Sequence, residues 1–171
     1  MDNQYDTDNI FPSRKEDMEE IMSVYESAKA FMRKEGNMTQ WTGGYPSEDV
    51  ILRDMEAGNH FSYKDPSTGR LLMVFSFIKG EDPTYTRIED GQWLNDEPYG
   101  TVHRIASAGS KGGMLEKCLG YCAGQVDNLR IDTRADNLTM QKALLRNGFS
   151  RCGIIYVADG SPRIAYQKIL R

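Results

Sequence analysis

This 171-residue chain contains two histidines, His60 and His103, the side-chain type whose ordinary titration falls near neutrality. An imidazole is therefore the first choice for moving a proton at ordinary pH. His103 lies in a stretch that reads as a strand, whereas His60 opens an outer hairpin and is expected to be structural or exposed. Residues 109–114, Gly-Ser-Lys-Gly-Gly-Met, follow the His103 strand as a glycine-rich turn into a helix. Backbone N–H groups around Lys111, Gly112 and Gly113 then stand at a helix start, where unsatisfied donors and the helix dipole favour an anion such as a phosphate. The connection 80–98, GEDPTYTRIEDGQWLNDEP, is dense in carboxylates. Glu81 and Asp82 at its start could attract a cationic group or relay a proton through water, although charge runs more often simply face solvent. Trp41, Tyr45 and Trp93 could wall a cleft, or equally serve as core aromatics.

The elements that must position these residues follow from hydrophobic spacing. Residues 10–13 form a short strand, and 16–34 repeat apolar residues at helical spacing, with Ser13 as the expected cap and Gly36 as the stop. Residues 36–47 are loop-like, and Ser47 caps a helix over 48–57. A hairpin over 60–79 turns at Pro66–Gly69, and its second strand is apolar enough to be covered on both faces. The connection 80–98 is long for a compact domain, which marks it as functional or internally structured. A strand at 99–107, a helix at 111–126, a strand at 129–133 and an Asn137-led helix to 146 come next. Two strands, 152–157 and 163–169, close a β-α-α-β-β-β-α-β-α-β-β order, a mixed α/β single domain over 1–171 with a flexible N-terminus through residue 9.

Composition sets further bounds. A net charge of −4 argues against a nucleic-acid binder, which needs clustered Lys and Arg. Neither a secretory leader nor an apolar run of about 20 residues is present, so a cytoplasmic protein without membrane association is expected. Cys118, Cys122 and Cys152 have neither Cys-x-x-Cys spacing nor a His at ligand spacing, so reduced thiols and no metal are expected.

The glycine-rich strand-to-helix turn, followed by strand 129–133, Asn137 and, eleven residues on, Gly148–Phe149, resembles the GNAT superfamily of acyl-CoA N-acyltransferases over most of the chain. Gly112 fits the family's turn of Arg or Gln, two free positions, Gly, one free position, Gly or Ala. Gly109 and Met114 depart from its outer positions, and Thr133 stands where Val is common. The resemblance implies a mostly antiparallel sheet with flanking helices and a splayed central pair of parallel strands. It also implies acetyl-CoA as co-substrate, no metal, and transfer of an acetyl group to a primary amine of a small molecule or peptide by direct attack.

Under that resemblance the backbone of Ile105, Ala106 and Ser107 would hold the pantetheine arm, Ser110, Lys111, Gly112, Gly113 and Met114 would meet the pyrophosphate, and Asn137 would face the pantetheine. His103 is then the candidate base, while Trp41, Tyr45, Glu81, Asp82 and Trp93 are candidates for the acceptor. Leu144 occupies the family's frequent catalytic Tyr position, so Tyr166, or Tyr156 on the neighbouring strand, is the replacement candidate for the acid. Arg104 and Arg134 flank the presumed site and could bind a 3′-phosphate or acidic substrate groups, or only solvate strand ends. A catalytically weak acyl-CoA-binding or sensor domain of the same fold remains the alternative, and exposed strand edges near the C-terminus could pair in a homodimer.

Overall fold

The computed structural model describes residues 7–109 and 111–171. The first six residues of the expected flexible N-terminus, and Ser110 of the glycine-rich turn, lie outside the described residues. The elements are β1 (Ile10–Pro12), α1 (Met18–Lys34), α2 (Glu48–Glu56), β2 (His60–Lys64), β3 (Leu71–Lys79), β4 (Gly100–Ser107), α3 (Met114–Ala123), β5 (Asn128–Thr133), α4 (Leu138–Arg146), β6 (Ser150–Tyr156) and β7 (Pro162–Ile169). The seven strands form one sheet in the order β1-β2-β3-β4-β5-β7-β6. Every neighbouring pair is antiparallel except β4–β5.

Two starts differ from the sequence reading. A 3-10 turn at Lys15–Asp17 precedes α1, and no side chain caps either, because the Ser13 hydroxyl is committed to His60 and Ser62. The third helix begins at Met114 rather than 111, since Gly113 is left-handed (φ 85°) and serves as its N-cap. Ser47 and Asn137 do cap their helices, accepting from Val50 N and Met140 N.

β3 is buried on both faces, as its apolar run predicts. Met73, Phe75 and Phe77 join the core beneath α3 and α4, while Leu71 and Val74 join a second core with Ile21, Val24 and Tyr25 of α1 and Ile51 of α2. The 80–98 connection lies over the opposite end of the sheet, where Tyr85 and Tyr99 pack with Ile155 and Ala165. It also meets the outer edge of β6, where Glu89 pairs with Ile154. Gly153 permits this approach: a Cβ there would stand 2.5 Å from Glu89 O.

Two irregularities open the sheet. β4 and β5 pair only at Gly100–Leu129 and Thr101–Arg130 and then part. On the other side of β4, Val74 faces Ala106 and Ser76 faces His103, so Phe75 stands against both Arg104 and Ile105. This is a β-bulge, and Arg104 takes it up at φ 51°, a conformation that costs a non-glycine residue about 1–3 kcal/mol unless its surroundings hold it.

They do hold it. The Tyr25 hydroxyl donates to Arg104 O at 2.8 Å and so accepts from His60 Nε2 at 2.9 Å. With its proton on Nε2, His60 accepts at Nδ1 from Ser13 Oγ (2.7 Å), which accepts in turn from Ser62 Oγ (2.7 Å). One proton order therefore runs from Ser62 to the bulge carbonyl, and it requires a neutral His60. Burial lowers the His60 pKa from 6.5 to about 4, opposed by Asp54 and assisted by Arg104. The unfolded chain then takes up a proton below pH 6.5 that the folded chain refuses until about pH 4. This stabilisation is complete above pH 6.5 and is lost as pH falls toward 4, a change of about 3 kcal/mol. Urea unfolding followed from pH 7.5 to 4.5 should show that decline, and His60→Gln should flatten it.

Candidate active site

A cleft of about 440 Å³ opens where β4 and β5 have parted, with His103 and Arg104 on one side and Asp132 and Arg134 on the other. Trp41 and Tyr45 from the α1–α2 connection, Asp82 and Thr84 from the 80–98 connection, Asp159 from the β6–β7 turn and Arg163 from the start of β7 also line it. The sequence candidates His103, Asp82, Trp41 and Tyr45 are thus brought together. Glu81 is exposed and Trp93 packs elsewhere, so neither lines the cleft.

His103 Nε2 lies 2.8 Å from Asp82 Oδ2, with both side chains largely buried. Asp82 is fixed from three directions. Its backbone N–H donates to the Tyr99 hydroxyl (2.8 Å), and its Oδ1 accepts from Thr84 N (2.8 Å) and Thr84 Oγ1 (2.7 Å). Burial alone would raise the Asp82 pKa, but the bonds from His103 and Thr84 outweigh it and hold the carboxyl at about 2. The ionised carboxylate accepts the Nε2 proton and leaves Nδ1 as the imidazole atom able to take another. A carboxylate that orients an imidazole and supports its protonated form is a recurring device for a general base.

Behind this pair the Tyr85 hydroxyl donates to Asp132 Oδ2 at 2.6 Å, and Arg163 Nε approaches Asp132 Oδ1 at 3.7 Å. Burial and the neighbouring Asp132 charge push the Tyr85 pKa well up, so its hydroxyl stays a donor. Trp93 donates from Nε1 to Tyr85 O, and its ring covers one face of the Arg130 guanidinium at 4.1 Å while Tyr99 covers the other at 4.0 Å. Trp93 therefore supports Tyr85 and Tyr99, which touch Asp132 and Asp82. Arg104 is also structural: its Nε and Nη2 meet Asp54 Oδ2 at 2.8 and 2.7 Å, and Nη1 donates to the Tyr45 hydroxyl at 3.0 Å. Asp132, Arg163, Thr84 and Tyr85 were missed by sequence reasoning. The alternation Leu129-Arg130-Ile131-Asp132 is the one signal that could have found Asp132, because it gives β5 a polar face opposite its core face.

Comparison with solved structures places the chain. An acetyltransferase of the GNAT family from Streptococcus agalactiae shares 32% identity, with a TM-score of 0.84 and 95% of each chain covered. The chain belongs to the GNAT family. A GNAT-family acetyltransferase from Listeria monocytogenes shares the fold at 20% identity (TM-score 0.69, 94% of each chain). The ribosomal-protein-S18-alanine N-acetyltransferase of Escherichia coli shares it at 14% identity (TM-score 0.61, covering 94% of this chain and 92% of that one). Neither a protein-family model nor a curated protein matches the sequence.

GNAT acetyltransferases use acetyl-CoA, and the parted strands of this GNAT chain fit such a molecule. Ala108 N donates to Leu72 O, so antiparallel alternation turns the peptide groups of Ile105 and Ser107 toward the gap and those of Ala106 toward β3. Of the three β4 residues proposed to hold the pantetheine arm, Ala106 is thus engaged with its neighbouring strand. At the head of α3, Lys111, Gly112 and Gly113 are exposed, and a Cβ built on either glycine would meet nothing within 4 Å. The first-turn N–H groups that follow have no acceptor within the helix. The Met114 side chain is buried in the core, so only its backbone can face a ligand. Asn137 is occupied as the cap of α4 and donates from Nδ2 to Gln40 Oε1 at 3.0 Å, tying the cleft loop to the helix start.

Tyr166 does not line the cleft. It is 2% exposed in the same core as Leu144 and Phe149, so its hydroxyl is not placed to protonate anything there. Tyr156 is exposed and bonds Glu89. Among the described residues no group of His, Cys, Asp and Glu could hold a metal ion, and no helix is long and apolar enough to cross a membrane.

The Asp82 bonds carry a measurable stability. Because the folded pKa lies below the ordinary 3.8, the contribution is present above pH 4 and is lost as pH falls through 2. Asp82→Asn should lower unfolding free energy by about 2 kcal/mol at pH 7. That difference should shrink as pH drops from 4 toward 2.

Proposed function

We propose that this GNAT protein transfers an acetyl group from acetyl-CoA to a primary amine held in the cleft, by direct attack with His103 as base. The observation that carries the reading is the His103–Asp82 pair facing a cleft at the parting of β4 and β5. Acetyl-CoA supplies the acyl group as a thioester. An amine arrives at neutral pH as an ammonium, and His103 Nδ1 takes its proton while Asp82 supports the imidazolium. The β4 backbone at Ile105 and Ser107, beside the gap, holds the acyl donor, and the head of α3 suits its phosphates. With Leu144 and Tyr166 both in the core, neither supplies a proton to the leaving thiolate. A thiol, with a pKa of about 8.5, is acidic enough to leave without a dedicated acid.

Leu144 also motivates a second reading, an acyl-CoA-binding domain without turnover. Two measurements separate the two. Acetyl-CoA at about 100 times its dissociation constant should add about 2.7 kcal/mol to stability and raise the melting temperature in either case. Amine-dependent CoA release occurs only if the protein is an enzyme. His103→Gln should lower kcat/KM by about 10²–10⁴-fold and remove the rise in rate with pH that a titrating base produces. An unchanged pH–rate profile would reject His103 as the base.

A further inference from the structure

We propose that the accepted amine also carries a carboxylate, making the acceptor an amino acid or a similarly zwitterionic amine, and that Arg134 grips this carboxylate. The inference rests on the acetyl-transfer reading above. Arg134 follows β5 and lines the cleft together with Arg163 of β7. The two guanidiniums are differently occupied. Arg163 has Asp132 Oδ1 at 3.7 Å and donates from Nη1 to Ser161 Oγ at 2.9 Å. Among the described residues Arg134 makes no ion pair, its guanidinium has one long hydrogen bond, Nη2 to Ser161 Oγ at 3.5 Å, and its buried Nε has none.

A guanidinium presents its N–H donors as a planar fork matched to two carboxylate oxygens, and a buried donor without a partner is costly. The two guanidiniums also feel each other: burial first, then the Arg134 charge, lowers the Arg163 pKa. An anion against Arg134 relieves both penalties. The nearby Asp159 feels the Arg134 charge but forms no ion pair with it: its Oδ1 is held by Ser161 N at 2.8 Å and by the Ser161 hydroxyl. Arg104 is committed to Asp54 and Tyr45 and is not a rival for the anion.

The charges of the cleft are sorted as a zwitterion requires. Asp82 stands with His103 on the β4 side, suited to an ammonium, while Arg134 offers a positive group on the β5 side. The three aspartates and three arginines of the lining balance. A polycation would meet Arg134, and a doubly charged phosphate would meet Asp132 and Asp159, whereas a single carboxylate beside an ammonium meets its complement at both ends.

The test measures CoA release by the purified protein at saturating acetyl-CoA. Its panel pairs each amino acid with its amide and its decarboxylated amine, and adds β-alanine and γ-aminobutyrate to vary the charge separation. At least one acid should exceed its amide by about 10- to 100-fold in kcat/KM, mainly through KM, the range expected of a hydrogen-bonded charged partner. Arg134→Gln should bring that ratio toward one, and Arg134→Lys should keep part of it. Circular dichroism and the acetyl-CoA melting shift establish that both variants are folded. If amides or decarboxylated amines react as well as the acids, or if Arg134→Gln leaves the ratio intact, the carboxylate inference fails while acetyl transfer stands. If no member of the panel releases CoA, the carboxylate inference fails, and acetyl transfer fails with it only if other primary amines, peptides included, release none either.

Discussion

Between Val74 and Ser76, β4 carries one residue more than its partner strand, and Arg104 absorbs the extra length in a left-handed conformation. That single bend is held from both ends. A hydrogen-bond chain from Ser62 through Ser13, His60 and Tyr25 reaches its carbonyl, and Asp54 holds its guanidinium. β4 leaves β5 after Thr101, and the bulge lies within the parted stretch, between His103 at the cleft and the Ile105–Ser107 backbone beside the gap. The stabilising groups come from α1, α2, β2 and the segment after β1, so elements remote from the gap fix the course of β4 beside it.

The cleft itself is braced polar group by polar group. Tyr99 anchors the backbone of Asp82, Asp82 anchors His103, and Tyr85 anchors Asp132. Arg130, between the rings of Trp93 and Tyr99, fixes the two aromatic supports relative to β5. Such preorganisation matters for proton transfer, because a base that must first find its geometry loses much of its advantage. The 80–98 connection, irregular apart from a short 3-10 turn at Pro83–Tyr85, is accordingly a structural wall of the site.

The order of strands and helices was legible because apolar spacing is local, and Ser47 and Asn137 marked boundaries where their chemistry demanded it. The starts of α1 and α3 were not. Ser13 looks like a cap until His60, 47 residues away, takes its hydroxyl, and Gly113 delays its helix through a backbone angle that the residue type permits but does not dictate. For the site, residue type alone singled out His103, and the charged loop supplied Asp82, but their pairing spans 21 residues and depends on how that loop folds back. Tyr166 and Trp93 were misplaced for a related reason. An aromatic side chain on a strand or loop declares only that it will pack, and the side on which it packs is set by register.

The chain's two tryptophans stand in surroundings that make them unequal witnesses. Trp41 contacts Tyr25 edge-on and borders the cleft, whereas Trp93 lies half-buried against Tyr85 and Arg130, outside the cleft lining. Emission from Trp41 therefore follows what enters the cleft, and emission from Trp93 follows the integrity of the wall behind it. The protein thus carries an intrinsic optical probe of its acceptor site together with an internal standard for its folding.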